Sequence, residues 1–329
     1  MTASGQMIHL RLQPQEGGPV VEAIVSRQAA ALRALRVGGV DIVEPTTTTI
    51  DPPGMAGAIL APWPNRVAGA TWEYQGSPQR LDVTEPDLGN ANHGLLADTM
   101  YDVVERDDTS VTLSAPVSDR AGYPFALTTQ VRYALSPDGI TVDHLIRNDG
   151  DTAAPVAVGA HPYLRVGGTH VDDLTVTIDA ASAIILDDDT HLPVATVPVD
   201  GLTADLRAGR RVADAIRHVG YTNLTACPDG RVRHTLTRAD GATTTVWADS
   251  NFAWVQVWIT DQPPGGSLAG RGLLSGPFGS PALAIAIEPM TAPPDALNSG
   301  TGLRWLPPGT QWNLTWGISL DIQVAGHLW

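Results

Sequence analysis

The chain has 329 residues, 43% of them hydrophobic, which is enough for a sizeable core. Its 35 acidic and 20 basic residues leave a net charge of −15, which opposes binding to nucleic-acid phosphates and to anionic membrane surfaces. All 20 basic residues are arginine, so Schiff-base chemistry, pyridoxal-phosphate catalysis and a lysine-bearing phosphate loop are excluded.

Along the chain, the first residues lack the basic start and apolar run of a signal peptide, and no stretch has the length of a membrane helix. A soluble cytoplasmic protein is expected. Residues 20–25 read as a first strand. Leu127, Thr129, Val131, Tyr133 and Leu135 alternate with their neighbours, Ser136-Pro137-Asp138-Gly139 supplies a turn, and Ile140, Val142, His144 and Ile146 begin the partner strand. Strands are expected over 153–160 and 174–178, and one short helix over 202–216. A hairpin is predicted for 231–238 and 243–247 around Ala239-Asp240-Gly241, then strands over 254–259 and 283–287. Between those two strands, 262–281 is rich in Gly, Pro and Ser without periodicity and reads as an inserted surface loop or lid. The clearest alternation is at the end, where Leu314, Trp316, Ile318, Leu320, Ile322 and Val324 share a face. Short strands separated by turns predict an all-β sandwich or barrel, and no composition shift divides residues 1–329 into domains. Cys227 is the only cysteine, so no internal disulfide forms.

The chain lacks a G-x-S-x-G elbow, an H-E-x-x-H or paired C-x-x-C metal motif, and a G-x-G-x-x-G dinucleotide loop. Asp187-Asp188-Asp189 reads as a solvated loop rather than a calcium site. No metal and no cofactor are expected. Four polar groups set among Pro and Gly remain. Ala61-Pro62-Trp63-Pro64-Asn65-Arg66 presents an apolar ring and a fork of donors, suited to a polyhydroxylated ligand or, equally, to a rigid turn with a salt bridge. Asn92-His93-Gly94 leaves a histidine accessible at a turn. His161-Pro162-Tyr163 ends a strand, since proline cannot continue the ladder. Each histidine alone is more often structural; two in turns suggest proton transfer near neutral pH. Glu288 ends the apolar run 282–287, where desolvation raises a carboxyl pKa and suits it to base work, unless it points to water. Asp295 and Asn298 shape the following turn. Trp63, Trp254 and Trp258 offer rings that stack on a sugar or fill the core.

In this order, Pro64-Asn65-Arg66, Asn92-His93-Gly94-Leu95, His161-Pro162-Tyr163, Glu288-Pro289 and Pro294-Asp295-Ala296 resemble the aldose 1-epimerase (galactose mutarotase) family, bacterial branch. The resemblance runs from about Ile8 to Val324. It implies a β-supersandwich of large antiparallel sheets that binds a small sugar in an open cleft. By the same resemblance Glu288 is the general base, His161 the general acid toward the ring oxygen, and His93 polarises the same region. Arg66 and Asn65 bind hydroxyls, with Trp63, Tyr163, His218 and Trp258 completing the expected contacts. Two positions depart from the pattern. Ala97 and Tyr101 stand where many relatives carry Arg and Trp, and His218 stands where Asp is usual. The implied activity is interconversion of α and β anomers of a free aldose. The competing readings are a non-catalytic sugar-binding protein on the same fold and a sugar-phosphate epimerase relying on Arg66, Arg165 or Arg217. A polysaccharide lyase or hydrolase would call for paired carboxylates.

Overall fold

The computed structural model describes residues 7–14, 17–46, 51–264 and 283–322. The predicted loop at 262–281 falls, beyond its first residues, outside the described residues, as does Val324. Two large antiparallel sheets of 12 and 9 strands dominate. The first runs Met7–Leu12, Val21–Ser26, Leu32–Val37, Val40–Val43, Tyr163–Leu164, Ala284–Met290, Trp254–Thr260, His218–Leu224, Ala180–Leu186 and Pro193–Pro198. The short strands Ile59–Leu60 and Gly159–Ala160 join it beside Ala284–Met290. The second runs Asp102–Arg106, Ser110–Val117, Leu127–Ser136, Gly139–Asn148, Gln311–Asp321, Thr243–Ala248, Val232–Thr237, Thr175–Ile178 and Arg210–Arg211. This is the expected all-β supersandwich. No described helix is long and apolar enough to cross a membrane.

Alternation explains both the core and the site. Val255, Val257, Ile259, Ile285 and Ile287 belong to the same buried cluster as Tyr133, Val142 and Trp316 of the second sheet. Burying such side chains stabilises by roughly 1.5–3 kcal/mol each. The Tyr133 hydroxyl crosses between the sheets to donate to the Ala30 carbonyl at 2.6 Å, so the buried phenol is satisfied. The intervening residues Gln256, Trp258, Ala286 and Glu288 occupy the other face of the first sheet. That face is covered as well: every residue of Ala284–Met290 is buried. In the second sheet, Gly317 permits a close approach, because a Cβ there would lie 2.4 Å from the Trp247 ring.

The predicted helix over 202–216 does not form. The segment is turns, the two-residue strand Arg210–Arg211 and a 3-10 turn over Val212–Asp214. Gly209 interrupts it at φ 78°, outside helical space. Ala204, Leu206 and Val212 enter the core separately rather than as a helical stripe.

Candidate active site

Two structural layers build the site. The first is the polar face of the central strands. Glu288 is not at the strand end but inside Ala284–Met290, opposite Gln256, while Trp258 lies opposite Ala286 on one side and His218 on the other. Small residues between them keep the face open; a Cβ on Gly220 would come within 3.2 Å of Gln256 Oε1.

The second layer is the irregular backbone laid across that face. His161 follows Gly159–Ala160, donates its N–H to the Ala58 carbonyl at 3.0 Å and accepts from Gly57 N–H at 2.8 Å. Asn65 and His93 both adopt left-handed backbone, at φ 59° and 64°. Gly94 has no substitute, since a Cβ would meet the Ala61 carbonyl oxygen at 2.1 Å. The Asn65 N–H donates to His93 Nδ1 at 3.1 Å, so neutral His93 carries its proton on Nε2 and is a donor there. Arg66 donates to both Glu85 carboxylate oxygens at 2.7 Å, a bidentate pair that fixes the guanidinium. Asp295 ties the layer down. Its N–H donates to the Arg66 carbonyl at 2.7 Å, and its Oδ1 accepts from Ala68 N–H at 3.0 Å and from Asn298 Nδ2 at 2.7 Å.

Together the layers enclose a cavity of about 190 Å³ lined by Asn65, Arg66, His93, His161, Tyr163, His218, Trp258 and Glu288. His161 Nε2 lies 3.4 Å from Glu288 Oε1. The His93 ring meets His161 edge-on at 5.4 Å, and the Tyr163 ring stacks on His161 at 5.1 Å. The His218 ring stands edge-on to Trp258 at 4.7 Å.

Burial dominates the electrostatics. It pushes the Glu288 carboxyl up to about 8, against the opposing pull of Arg66. Burial pulls His161 down to about 4 and His218 to about 3. It also holds His93 well below its ordinary range, helped by His161, Arg66 and His218. Near pH 7 the Glu288–His161 pair therefore holds one proton, and the surrounding imidazoles are neutral.

Trp63 requires correction. It is 1% exposed, packs 6.0 Å from Tyr123, and lines a neighbouring hollow rather than this cavity. Trp254 shares the face of Trp258 but is absent from the cavity wall. Arg165 pairs with Glu44 and Arg217 with Asp261, and neither lines the cavity. The structure adds Asn92, Gln256 and Met55 to the wall. The parity of Gln256 with Trp258 was the sequence signal for one of them. Glu85, the partner of Arg66, carried no signal. Asp187 forms a turn, its Oδ1 accepting from Thr190 N–H at 2.8 Å and Asp189 N–H at 3.1 Å.

His93, His161 and Glu288 each offer a potential ligand atom within 4.8 Å of the others. The set suits proton transfer better than metal binding. The Asn65 N–H occupies His93 Nδ1, and the proton this leaves on Nε2 blocks the other nitrogen as a ligand.

The chain has recognisable relatives. The family described as Aldose 1-epimerase matches residues 16–319. YihR of Escherichia coli K12, an uncharacterized protein, is 33% identical over 319 residues, covering 97% of this chain and 94% of YihR. A GalM/aldose epimerase homologue from C. elegans shares the fold at TM-score 0.76 and 17% identity, covering 96% of this chain and 99% of that one. A galactose 1-epimerase from Lactobacillus acidophilus does so at TM-score 0.70 and 16% identity, covering 96% and 98%. The matched span holds both layers of the site, and the chain belongs to the aldose 1-epimerase family.

Proposed function

We propose that the protein is a mutarotase that interconverts the α and β anomers of a free aldose. The observation that carries this reading is the buried Glu288–His161 contact of 3.4 Å, facing a polar cavity. Anomer exchange needs one base and one acid that trade places. In the opening step the base takes the proton of the C1 hydroxyl, the C1–O1 bond becomes a carbonyl, and the bond from C1 to the ring oxygen breaks. The acid delivers a proton to that oxygen. Rotation about C1–C2 presents the other carbonyl face, and closure reverses every transfer. Electrons and protons balance with no redox step and no covalent intermediate.

A pair holding one proton is suited to this cycle. Ionised Glu288 accepts from the C1 hydroxyl and protonated His161 donates to the ring oxygen. The 3.4 Å contact lets the proton that rests on Glu288 reach His161. His93 Nε2–H, fixed as a donor, points the same chemistry at the ring oxygen. Gln256 Oε1, Asn92 Oδ1 and Glu288 Oε2 are buried without partners in the fold, and sugar hydroxyls would satisfy them. Arg66 is bound by Glu85, so the cavity holds no uncompensated arginine among its described walls, which favours a neutral aldose over a sugar phosphate.

The test is polarimetry of freshly dissolved α-D-glucose and α-D-galactose with the protein and with Glu288→Gln. Accelerated decay that the substitution removes supports the reading. Saturable sugar binding without acceleration supports a sugar-binding protein instead.

A further inference from the structure

The His218 imidazole lines the catalytic cavity, yet no hydrogen bond to another described residue fixes it. Two rings stand edge-on to it instead: Trp258 at 4.7 Å and His191 at 4.9 Å, with interplanar angles of 85° and 87°. Trp258 is its neighbour across the sheet. His191 comes from outside the sheet, on the turn between Ala180–Leu186 and Pro193–Pro198, and does not itself line the cavity. That turn is firmly held. The Asp187 N–H donates to the Leu192 carbonyl at 2.9 Å, and the Asp187 carbonyl accepts from His191 N–H at 2.8 Å. Asn90 joins the turn to the irregular layer of the site. Its Nδ2 donates to the Thr190 carbonyl at 3.3 Å, and its Oδ1 accepts from Gly69 N–H at 3.2 Å. His191 takes left-handed backbone at φ 57°, an uncommon conformation outside glycine. Its Nδ1 is buried and unpartnered, so backbone and packing place the ring rather than a hydrogen bond at that nitrogen.

We propose that His191 is a positioning residue that holds the His218 imidazole in the orientation that grips the substrate, and through it sets selectivity for hydroxyl groups on the C2–C3 side of the sugar. This step rests on the mutarotase reading, which orients the ring. Glu288 addresses the C1 hydroxyl and His161 the ring oxygen. His161 and the strand Tyr163–Leu164 that follows it lie on one side of Ala284–Met290, whereas Trp258 and then His218 lie on the other. Within the ring, C1 is bonded to the ring oxygen and to C2. With the oxygen turned toward His161, C2 and C3 turn toward His218. A neutral imidazole has one donor and one acceptor nitrogen, and each meets a hydroxyl only while the ring plane is fixed. His191 and Trp258 fix that plane from two sides.

The test measures kcat and KM for anomer exchange of glucose and its 2-deoxy, 3-deoxy and 6-deoxy forms, with wild-type protein, His191→Ala and His191→Phe. His191→Ala should raise KM for glucose by roughly two- to tenfold, the worth of one aromatic contact, with kcat changed less. The preference for glucose over at least one of the 2-deoxy and 3-deoxy sugars should shrink by a similar factor, while the preference over 6-deoxyglucose should hold. Comparing variant with wild type cancels the intrinsic reactivity of each sugar. His191→Phe keeps a flat ring and should restore both values. In a His218→Ala background, His191→Ala should add nothing, because it acts through the ring already removed. Unchanged KM and sugar preference in His191→Ala, whatever its melting temperature, would overturn the assignment. So would His191→Phe no better than His191→Ala, or a full further loss in the His218→Ala background. Each of these results leaves the wild-type acceleration and the mutarotase reading intact. Acceleration of none of these sugars by the wild type would overturn both.

Discussion

His144 and His161 are both nearly excluded from solvent, at 3% and 5% exposure, yet they sit in opposite kinds of backbone. His144 lies in the second sheet, where Leu127–Ser136 and Gly139–Asn148 pair over ten residues without a register shift. Its Nε2 accepts from Trp316 Nε1 at 2.9 Å, and burial holds it neutral, down to about 3. The ring is polar, satisfied and structural. His161 lies in the first sheet where strands shrink to two residues, between Gly159–Ala160 and Tyr163–Leu164. Its neighbour is a carboxyl, not a satisfied donor. The regular sheet spends its alternation on the core. The interrupted sheet gives up ladder hydrogen bonds to aim polar groups into one space, which is where strain and function gather.

Mutation should separate the two histidines. Glu288→Gln and His161→Asn should each lower kcat by at least about 10²-fold, the lower end for one acid–base group, with little change in folding. His144→Ala should do the reverse. It leaves the Trp316 indole N–H unpaired, costs about 1–3 kcal/mol from that group alone, and keeps kcat per folded molecule. Steady-state rates beside urea titrations would show this crossing of effects, and a shared loss of stability would erase the contrast.

The pH profile sharpens the comparison. On the mutarotase reading the Glu288–His161 pair works with one proton, so kcat/KM should be flat between about 4 and about 8. It falls below that window when the pair gains a second proton and above it when the pair loses its last. A rate that climbs through pH 8 would contradict a shared proton. Stability follows the other histidines. His144, His218 and His234 are held at about 3, 3 and 4, mainly by burial, while the unfolded chain protonates near 6.5. Between those values the unfolded state binds more protons, so stability should fall as pH drops below 6.5. Glu288 opposes this, since its raised folded value favours the native state at lower pH, but it is outnumbered. Thermal melts from pH 7 to 4 check the sign.

The last prediction concerns Arg66. Glu85→Gln breaks the charge of the bidentate pair and frees the guanidinium. Losing a charged hydrogen bond costs about 1.5–3 kcal/mol. That should appear mainly as a raised KM, with kcat changed less, because in the proposed mechanism Arg66 orients substrate rather than moving a proton.

Much of the regular sheet was legible in the sequence. The hairpin through Pro137-Asp138-Gly139, the hairpin around Asp240-Gly241 and the final alternation from Leu314 to Leu320 became strands because one face had to be buried, whereas Ile322, expected on the same face, lies past the strand end at Asp321 and is 51% exposed. The segment 202–216 misled because its apolar residues match a helical spacing while Gly209 takes a left-handed conformation. In the site, the turn chemistry of Asn65-Arg66, His93-Gly94 and His161-Pro162 marked the residues that the structure brings together. Trp63 misled because a ring between two prolines reads as exposed, whereas tertiary packing buries it against Tyr123. Glu85 was invisible, since nothing local links it to Arg66, 19 residues away. Glu288 was placed at a strand end because the apolar run stops there, yet pairing opposite Gln256 carries the strand through Pro289 to Met290.

The most direct measurement is saturation-transfer NMR of the anomeric protons of glucose and galactose, with wild-type protein and with Glu288→Gln. Magnetisation passing between the α and β signals faster than in buffer, and returning to the buffer rate with Glu288→Gln, is the predicted result. Saturable sugar binding with exchange no faster than in buffer would contradict the account.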